Sequence, residues 1–258
     1  MNNKRYRIQF PKSECKNADQ DKAFFYLVES KGEKKIKFHD YETIYNIPGL
    51  YEQIFYDRLK CCSPKKVTEI LYASVAQSRE HFTELRVLDV GAGNGLMGAE
   101  LKKYGVSRLV GIDIIPEAKR ATERDRPHVY DAYDTIDLCN LDESEMEDLS
   151  SWSLNCLTTV AALGFGDIPP KAFMVAFNII QSEGWVAFNI KETFLDNSDS
   201  SGFSRMIRDL IFSKYMDLYH LERYRHRVSI EGEPLFYFAV AGRKNYDVPR
   251  EFYDKYFD

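Results

Sequence analysis

Strand-like and helix-like segments alternate through the middle of the chain. The strand-like segments are short and mostly apolar, and they lie at Arg86–Val90 and at residues 109–113, 154–160 and 184–190. The helical patterns begin near Asn94, Pro116, Pro169 and Phe203. Because strands that alternate with helices usually form a parallel sheet covered on both faces, this pattern predicts an α/β domain.

The two ends of the chain follow other patterns. Near the C-terminus, residues 219–230 and 235–242 flank the turn residues 231–234, which predicts an antiparallel hairpin. Near the N-terminus, three short strand-like segments predict a β-hairpin: residues 6–10, 23–28 and 35–38. Helical spacing follows over residues 41–59, with a break at Pro48 and Gly49, and again over residues 64–79. We therefore divide the chain into an N-terminal hairpin and lid extension, residues 1–63, and an α/β domain, residues 64–258.

Length and composition narrow the classes of protein. The 258 residues suit one large α/β domain with an extension. Acidic residues outnumber basic ones by 40 to 35, and the net charge of −5 gives no overall positive field for nucleic acid or an anionic membrane. The five cysteines lack CxxC spacing and follow a polar N-terminus, which indicates a reducing cytoplasm, and no apolar run is long enough to cross a bilayer.

Three glycines at alternate positions follow the first strand of the α/β region. Gly91, Gly93 and Gly95 lie directly before a helical pattern, and glycine allows a backbone to approach a ligand closely. The next strand ends at Asp113, whose carboxylate can accept hydrogen bonds from both hydroxyls of a ribose. These residues predict an adenosine-type ligand at the carboxyl edge of the sheet.

Two kinds of cofactor are compatible with this loop. The glycines at positions 93, 95 and 98 match the dinucleotide pattern GxGxxG, which alone is a weak signal for NAD. Asp89, in the last turn of the preceding strand, favours a methionine-derived ligand, because a carboxylate repels a pyrophosphate and attracts an ammonium group. The sequence thus favours a sulfonium cofactor over NAD.

Residues 87–95, Val-Leu-Asp-Val-Gly-Ala-Gly-Asn-Gly, resemble motif I of the class I S-adenosylmethionine-dependent methyltransferases. Residues 110–113, Val-Gly-Ile-Asp, resemble the acidic motif of the same enzymes. Residues 129–138 and 160–170 are similar to segments of the methyltransferase-like proteins named after the Williams–Beuren deletion region. The resemblance covers about residues 85–192. It implies a Rossmann-like, seven-stranded methyltransferase sheet, parallel with a C-terminal antiparallel hairpin, preceded by the β-hairpin and a helical lid.

The resemblance also implies S-adenosylmethionine as the cofactor and names its contacts. The glycine loop lines the methionine part, with Asp89 near its amino group, and Asp113 binds the ribose. Asp137 and Leu138 meet the adenine, although Asp131 is an alternative for the acidic role. Tyr51 covers the cofactor or, alternatively, belongs to a packed aromatic stripe. The complete predicted set of cofactor contacts is Tyr51, Asp89, Gly91, Ala92, Gly93, Asn94, Gly95, Asp113, Ile114, Asp137, Leu138 and Ala161.

The candidates for catalysis come from two later strands. Alternation along residues 219–230 turns His226 inward, where it is either a base or a hydrogen-bonded structural histidine. Lys191 and Glu192 follow the fifth strand at the ligand-binding edge, where they contact the substrate or form a surface ion pair. Arginines 223, 225 and 227 alternate with His226 and are expected on a solvated or helix-covered face.

The predicted function is methyl transfer to a small-molecule or peptide acceptor by a cytoplasmic enzyme. Negative net charge and the absence of a recognisable nucleic-acid-binding module argue against nucleic-acid and membrane partners. The alternatives are an NAD-dependent oxidoreductase and a non-catalytic S-adenosylmethionine-binding interaction protein. Without a Cys/His cluster, no metal site is predicted. The pattern leaves open the acceptor, its reacting atom and the oligomeric state.

Overall fold

Two sheets organise the molecule. The computed structural model describes residues 4–11, 23–30, 32–163, 167–195 and 202–253. A small antiparallel sheet has the order β1-β2-β3 and contains β1 (Arg7–Gln9), β2 (Phe24–Glu29) and β3 (Gly32–Lys37). The seven strands of the large sheet are β4 (Arg86–Val90), β5 (Arg108–Asp113), β6 (Ala132–Thr135), β7 (Cys156–Thr159), β8 (Trp185–Lys191), β9 (Met216–Val228) and β10 (Pro234–Lys244).

The large sheet has the order β6-β5-β4-β7-β8-β10-β9. Strands β4 to β8 pair in parallel, whereas β10 pairs antiparallel with both β8 and β9. This arrangement confirms the predicted Rossmann-like sheet with a C-terminal antiparallel hairpin. The strand order reverses direction at β4, between β5 and β7, and ligands of such sheets bind outside the carboxyl ends of the strands at this switch point.

Helices cover both faces of the large sheet. They are α1 (Tyr41–Asn46), α2 (Leu50–Glu52), α3 (Ser63–Gln77), α4 (Leu96–Lys103), α5 (Pro116–Asp125), α6 (Glu143–Ser151), α7 (Pro170–Ile179), α8 (Phe203–Phe212) and α9 (Arg250–Tyr253). Helix α2 continues as a π-helix, Gln53–Arg58. Proline occupies the first turn of α3, α5 and α7, where its missing N–H has no helical partner to lose. None of the helices in the described ranges has the length and apolar character needed to cross a membrane.

Successive side chains of each central strand enter different cores. Leu88 and Val90 of β4 pack with aromatic residues of α7 and α8, whereas Val87 packs with residues of α3 and α4. This division follows from the alternation of side chains across a strand. Because both faces of the sheet are covered, only the strand ends and the loops that follow them remain for ligand binding.

The N-terminal sheet is attached to the large sheet through the π-helix and β9. Phe25 and Leu27 share a core with Ile54, and residues at the end of β9 pack against this core. The Val228 N–H donates to the Leu59 carbonyl over 2.8 Å. These contacts hold α1 and α2 over the carboxyl ends of the parallel strands.

Several elements differ from the predicted ones. The predicted N-terminal hairpin is a three-stranded sheet, because β1 pairs with β2. A third strand was expected before Asp137 without definite limits, and it is β6, which is only four residues long and half exposed. Helix α6 was not predicted, although it begins with a capping box of Asp142 and Glu145 that is visible in the sequence. The π-helix has no pattern that distinguishes it from an ordinary helix.

Helix α8 offers a matched pair of phenylalanines for testing the core. Phe203 is buried, whereas Phe212 is 79% exposed. We expect Phe203→Ala to lower the free energy of unfolding by about 3–5 kcal/mol, because it leaves a cavity in the core. Phe212→Ala should change it by no more than about 0.5 kcal/mol. Urea unfolding of both variants tests this packing, and equal losses would contradict it.

Candidate functional site

A cavity of about 530 Å³ lies at the carboxyl ends of the parallel strands, between the sheet and helices α1 and α2. This volume is within the range of small-molecule sites. The glycine loop, the end of β5, the 3-10 turn after β6 and the loop after β7 all contribute to its wall. The predicted cofactor residues that line it are Tyr51, Gly91, Ala92, Gly93, Asn94, Asp113, Ile114, Asp137, Leu138 and Ala161.

The glycine loop is fixed in a conformation that only glycine adopts easily. Gly91, Gly93 and Gly95 have φ angles of 68°, 56° and 83°. The Gly93 carbonyl accepts hydrogen bonds from the hydroxyls of Thr122, at 2.8 Å, and Tyr133, at 2.7 Å. A Cβ atom on Gly93 would lie 2.6 Å from the Tyr45 hydroxyl oxygen. The loop backbone therefore lies close to Tyr45 and lines the cavity.

Asp113 at the end of β5 connects this loop to the next strand. Its Oδ2 atom accepts a hydrogen bond from the Gly93 N–H at 2.9 Å, and Oδ1 accepts one from the Ile115 N–H at 3.0 Å. Burial raises the pKa of Asp113, while the backbone donors oppose that rise. Each carboxylate oxygen has a second lone pair, so Asp113 can also accept from a diol in the cavity.

Asp137 and Leu138 form the opposite end of the cavity wall. Asp137 caps the 3-10 turn Leu138–Asn140 by accepting a hydrogen bond from the Cys139 N–H at 2.9 Å. Leu138 is buried and contributes apolar surface to the cavity. Asp131, the alternative, is engaged elsewhere, because it accepts from the Leu109 N–H at 2.7 Å and is not among the described lining residues.

Asp89 and Gly95 lie outside the cavity wall in the described structure. Asp89 is buried, and its two oxygens accept hydrogen bonds from Tyr130, at 2.6 Å, and Thr158, at 2.8 Å. Burial outweighs these donors and raises the pKa of Asp89 to about 6. Gly95 precedes α4 and packs near Tyr130. In this geometry the Asp89 carboxylate supports the loop through Tyr130 and Thr158, and its contact with an ammonium group stays a prediction.

An aromatic row from the N-terminal extension covers the cavity. Tyr41, Tyr45 and Tyr51 all line it, with ring centroids 5.9 Å apart for the first pair and 5.2 Å apart for the second. Burial raises the pKa of Tyr51 well above its ordinary value, which keeps its hydroxyl protonated. Tyr51 belongs to a packed aromatic row, as one alternative predicted, and it also lines the cavity, while its contact with a cofactor stays a prediction.

Polar contacts join this lid to the glycine loop. Glu52 accepts a hydrogen bond from the Asn94 amide at 2.9 Å and pairs with Arg126 at 2.8 Å. Arg126 also donates to the Asn94 carbonyl, and Arg124 donates to the Tyr45 carbonyl, both at 3.0 Å. These bonds hold α1 and α2 against the loop, so the lid and the loop form one wall.

His226 belongs to a buried hydrogen-bond network. Its Nδ1 lies 2.5 Å from the Ser63 hydroxyl, which lies 2.6 Å from the Tyr224 hydroxyl. Asn189 donates to Tyr224 and accepts from the backbone N–H of Ala161 at 2.6 Å, where Ala161 has a positive φ of 58°. Burial lowers the pKa of His226, so the ring is neutral. His226 does not line the large cavity, although it lines a smaller one beside it, and its network supports the Ala161 loop, so its catalytic role stays a prediction.

Lys191 and Glu192 also lie away from the cavity wall. Glu192 pairs with Arg223 on the surface, with Nε and Oε2 2.7 Å apart, as the ion-pair alternative proposed. Lys191 occupies the last position of β8, opposite Tyr237, and lines neither described cavity. Residues 164–166, which belong to the predicted edge loop, are outside the described ranges.

The sequence interpretation missed a histidine–aspartate pair at the cavity wall. His39 Nδ1 lies 3.2 Å and 3.3 Å from the two carboxylate oxygens of Asp167. Both residues line the large cavity and a second, smaller cavity beside it. A carboxylate at Nδ1 favours the tautomer whose Nε2 lone pair is basic, so this pair can accept a proton. The two residues are far apart in the chain, and no local spacing connects them.

The charge of the cavity wall discriminates between ligands. Asp113, Asp137 and Asp167 line it, and its described residues include no lysine or arginine. A pyrophosphate is normally neutralised by such cations or by a helix N-terminus, whereas a sulfonium and an ammonium group are attracted by carboxylates. The cavity therefore suits a positively charged adenosine derivative better than a dinucleotide.

Residues 88–188 match the family model of a methyltransferase domain. The chain contains a methyltransferase domain. Its boundaries include the glycine loop, Asp113, Asp137 and the loop after β7, which together form most of the cavity wall. The sequence matches no curated protein.

Solved structures share the fold at low sequence identity. Protein 1320 of Thermoplasma acidophilum is 15% identical, with 80% of this chain and 99% of that chain covered at a TM-score of 0.50. PH1948 of Pyrococcus horikoshii, a candidate RNA methyltransferase, is 12% identical, with 71% and 84% covered at 0.50. Magnesium protoporphyrin IX methyltransferase of Synechocystis PCC 6803, solved with bound S-adenosylmethionine, is 12% identical, with 70% and 79% covered at 0.49.

The match to a methyltransferase domain is consistent with the seven-stranded sheet and with the cavity at its switch point. The matched segment begins in β4 and ends in β8, so it spans the parallel strands of the large sheet and the loops that line the cavity. The finer similarity to the Williams–Beuren proteins stays a prediction.

The raised pKa of Asp89 predicts a pH dependence of stability. The carboxyl ionises at 3.8 in the unfolded chain and at about 6 in the fold, so its stabilising contribution is complete below the first value and is lost as the pH rises through the second. Between about pH 4 and about pH 7, wild type should therefore lose up to about 3 kcal/mol relative to Asp89→Asn, which cannot ionise. Urea unfolding across this range measures the difference. Parallel curves for the two proteins would contradict the shift, and the exposed Asp134→Asn serves as the control.

Proposed function

We propose that the chain transfers the methyl group of S-adenosylmethionine to a small-molecule or peptide acceptor that binds beside the cofactor cavity. The observation that carries this proposal is the acidic cavity at the switch point of the sheet, where the glycine loop meets Asp113 and Asp137. An oxidoreductase that uses NAD finds no support here, because the described wall has no lysine or arginine for a pyrophosphate.

In this proposal each wall residue has one task. Asp113 accepts hydrogen bonds from the ribose, and Asp137 accepts one from the adenine amine while Leu138 packs on the ring. The loop from Gly91 to Asn94 lines the methionine part, and Ile114 and Ala161 complete the contact surface. Tyr51 covers the cofactor from the lid. Asp89 and Gly95 keep the loop in place without touching the ligand.

The chemistry requires orientation, exclusion of water and, for a protonated nucleophile, a base. The bound cofactor supplies an electrophilic methyl group on its sulfonium. His39, held by Asp167 at the wall shared by the two cavities, accepts the proton of the acceptor's hydroxyl or amine. The aromatic lid excludes water from the reacting atoms.

The N-terminal extension above the cavity also argues for a small acceptor. The N-terminal extension, residues 1–63, places its tyrosines and Glu52 directly over the glycine loop, and we assign to it the role of a lid. A chain with net charge −5 and an acidic cavity wall gives no field that would attract a nucleic acid. A small molecule or a peptide side chain therefore suits the site better than a nucleic acid.

Calorimetric titration tests the cofactor site. We expect S-adenosylmethionine and S-adenosylhomocysteine to bind and NAD not to bind. Asp113→Asn should weaken binding about 10- to 100-fold, because it removes a charged acceptor of the ribose hydroxyls. Asp134→Asn, on the neighbouring strand and exposed, is the matched control and should bind like wild type. Binding of NAD alone would overturn the proposed cofactor.

Methyl transfer tests the role of His39. Wild type is incubated with methyl-labelled S-adenosylmethionine and a pool of small metabolites and peptides, and incorporated label is measured. We expect His39→Gln to reduce the rate by about 100-fold or more without loss of S-adenosylhomocysteine affinity, since a base acts on the proton and not on the cofactor. His220→Gln, which removes a surface histidine paired with Glu222 at 3.3 Å, is the control. Equal rates for His39→Gln and wild type would exclude His39 as the base.

A further inference from the structure

A second cavity lies against the cofactor cavity and shares part of its wall. It has a volume of about 50 Å³, and His39, Ala161 and Asp167 line both cavities. A single water molecule needs roughly 10–15 Å³ of such space, so this cavity admits a small functional group. A group bound in the second cavity therefore lies next to the part of the large cavity that borders the shared wall.

Arg227 is the cation of this second cavity. It lines the cavity and is half-buried, and its guanidinium donates to the neighbouring Val228 carbonyl at 3.0 Å. No carboxylate of the described residues forms an ion pair with it, in contrast to Arg223, which pairs with Glu192 on the same strand. A half-buried guanidinium without a counter-ion is costly, and its planar donors match a carboxylate.

A β-bulge explains why Arg227 is directed differently from the other arginines of its strand. Leu235 pairs with Arg227 and Phe236 pairs with Arg225, so His226 is the extra residue between them. The bulge breaks the simple alternation, and Arg225 remains exposed while Arg227 reaches the cavity. Arg225 is therefore a natural control for Arg227.

We infer that the second cavity binds the carboxylate of the methyl acceptor, with Arg227 as its counter-ion, so that the acceptor is a small hydroxy or amino acid. This inference rests on the proposed methyltransferase function. A carboxylate at Arg227 directs the rest of a short acid towards the shared wall, where the His39–Asp167 pair stands. Asp167 adds a negative charge to the same cavity, but its two oxygens are engaged with His39.

The reaction of such an acid balances without a further reactant. The lone pair of its hydroxyl or amine forms the bond to the methyl carbon, and the carbon–sulfur bond breaks with its electron pair remaining on sulfur. His39 takes the proton of the nucleophile at Nε2. The other titratable or charged residues that line the two cavities in the described structure are Tyr41, Tyr45, Tyr51, Tyr56, Cys61, Asp113, Asp137, Cys139, Asp167, His226, Arg227 and Tyr237.

The test uses propionate as a probe acid and propionamide as its neutral counterpart. The full-length protein is first saturated with S-adenosylhomocysteine, and binding of each probe is followed by ligand-observed NMR at constant ionic strength, since salt screens the pair. We expect propionate to bind and propionamide to bind at least about tenfold more weakly. Arg227→Gln should weaken propionate binding by a similar factor, whereas Arg225→Gln should leave it unchanged.

The outcomes separate this inference from the function on which it rests. Wild type that binds S-adenosylhomocysteine but binds propionate no better than propionamide would overturn the carboxylate site and leave the methyltransferase intact. Equal propionate binding by wild type and Arg227→Gln would also overturn it. Absence of S-adenosylhomocysteine binding would instead refute the proposed function. If Arg227→Gln does not fold, Arg227→Lys replaces it in the test. Lysine keeps the positive charge but lacks the planar guanidinium, so we expect its affinity for propionate to lie below that of wild type.

Discussion

The turn between β4 and α4 is held to the end of β5 by hydrogen bonds from its own backbone. The N–H groups of Gly91 and Ala92 donate to the Ile112 carbonyl, and the N–H of Gly93 donates to Asp113. The turn can follow this path because its glycines adopt positive φ angles. The cavity wall, the position of the lid and the orientation of Asp113 all depend on this attachment. Asp113 accepts from the Gly93 N–H, and the lid is bonded to Asn94 of the same turn through Glu52 and Arg126.

The distribution of charge around this turn separates support from recognition. Arg124, in α5, and Arg126, just after it, lie outside the cavity. They hold the lid to the glycine loop through the Tyr45 and Asn94 carbonyls. The cavity keeps its carboxylates, which favour a cationic ligand. The second cavity differs because Arg227 lines it beside Asp167 and several aromatic side chains, so it contains a cation as well as a carboxylate. A guanidinium in this cavity and carboxylates around the large one suit an acceptor and a cofactor of different charge.

Local patterns predicted many of the residues that line the large cavity. The glycine loop, Asp113, Asp137 and Leu138 line the cavity as expected, because each occupies a fixed offset from the carboxyl end of a strand and parallel strands end at the same edge. Asp89 occupies an equally fixed place, but the Tyr130 and Thr158 hydroxyls determine where its carboxylate points, and those residues come from other elements. Spacing in the chain located Asp89 correctly on β4 without revealing its partners.

The sequence by itself determined the order of strands and helices, the glycine turn and the carboxylates at the strand ends, because these depend on side-chain periodicity and on interactions within a few residues. Only the tertiary structure decided which histidine lines the large cavity. His226 turns inward as its alternation predicts, yet Ser63 takes its ring nitrogen, while His39 meets Asp167 across 128 positions of the chain. Contacts between distant residues depend on how the elements pack and on single irregularities such as the bulge at His226, and neither leaves a periodic signal in the sequence.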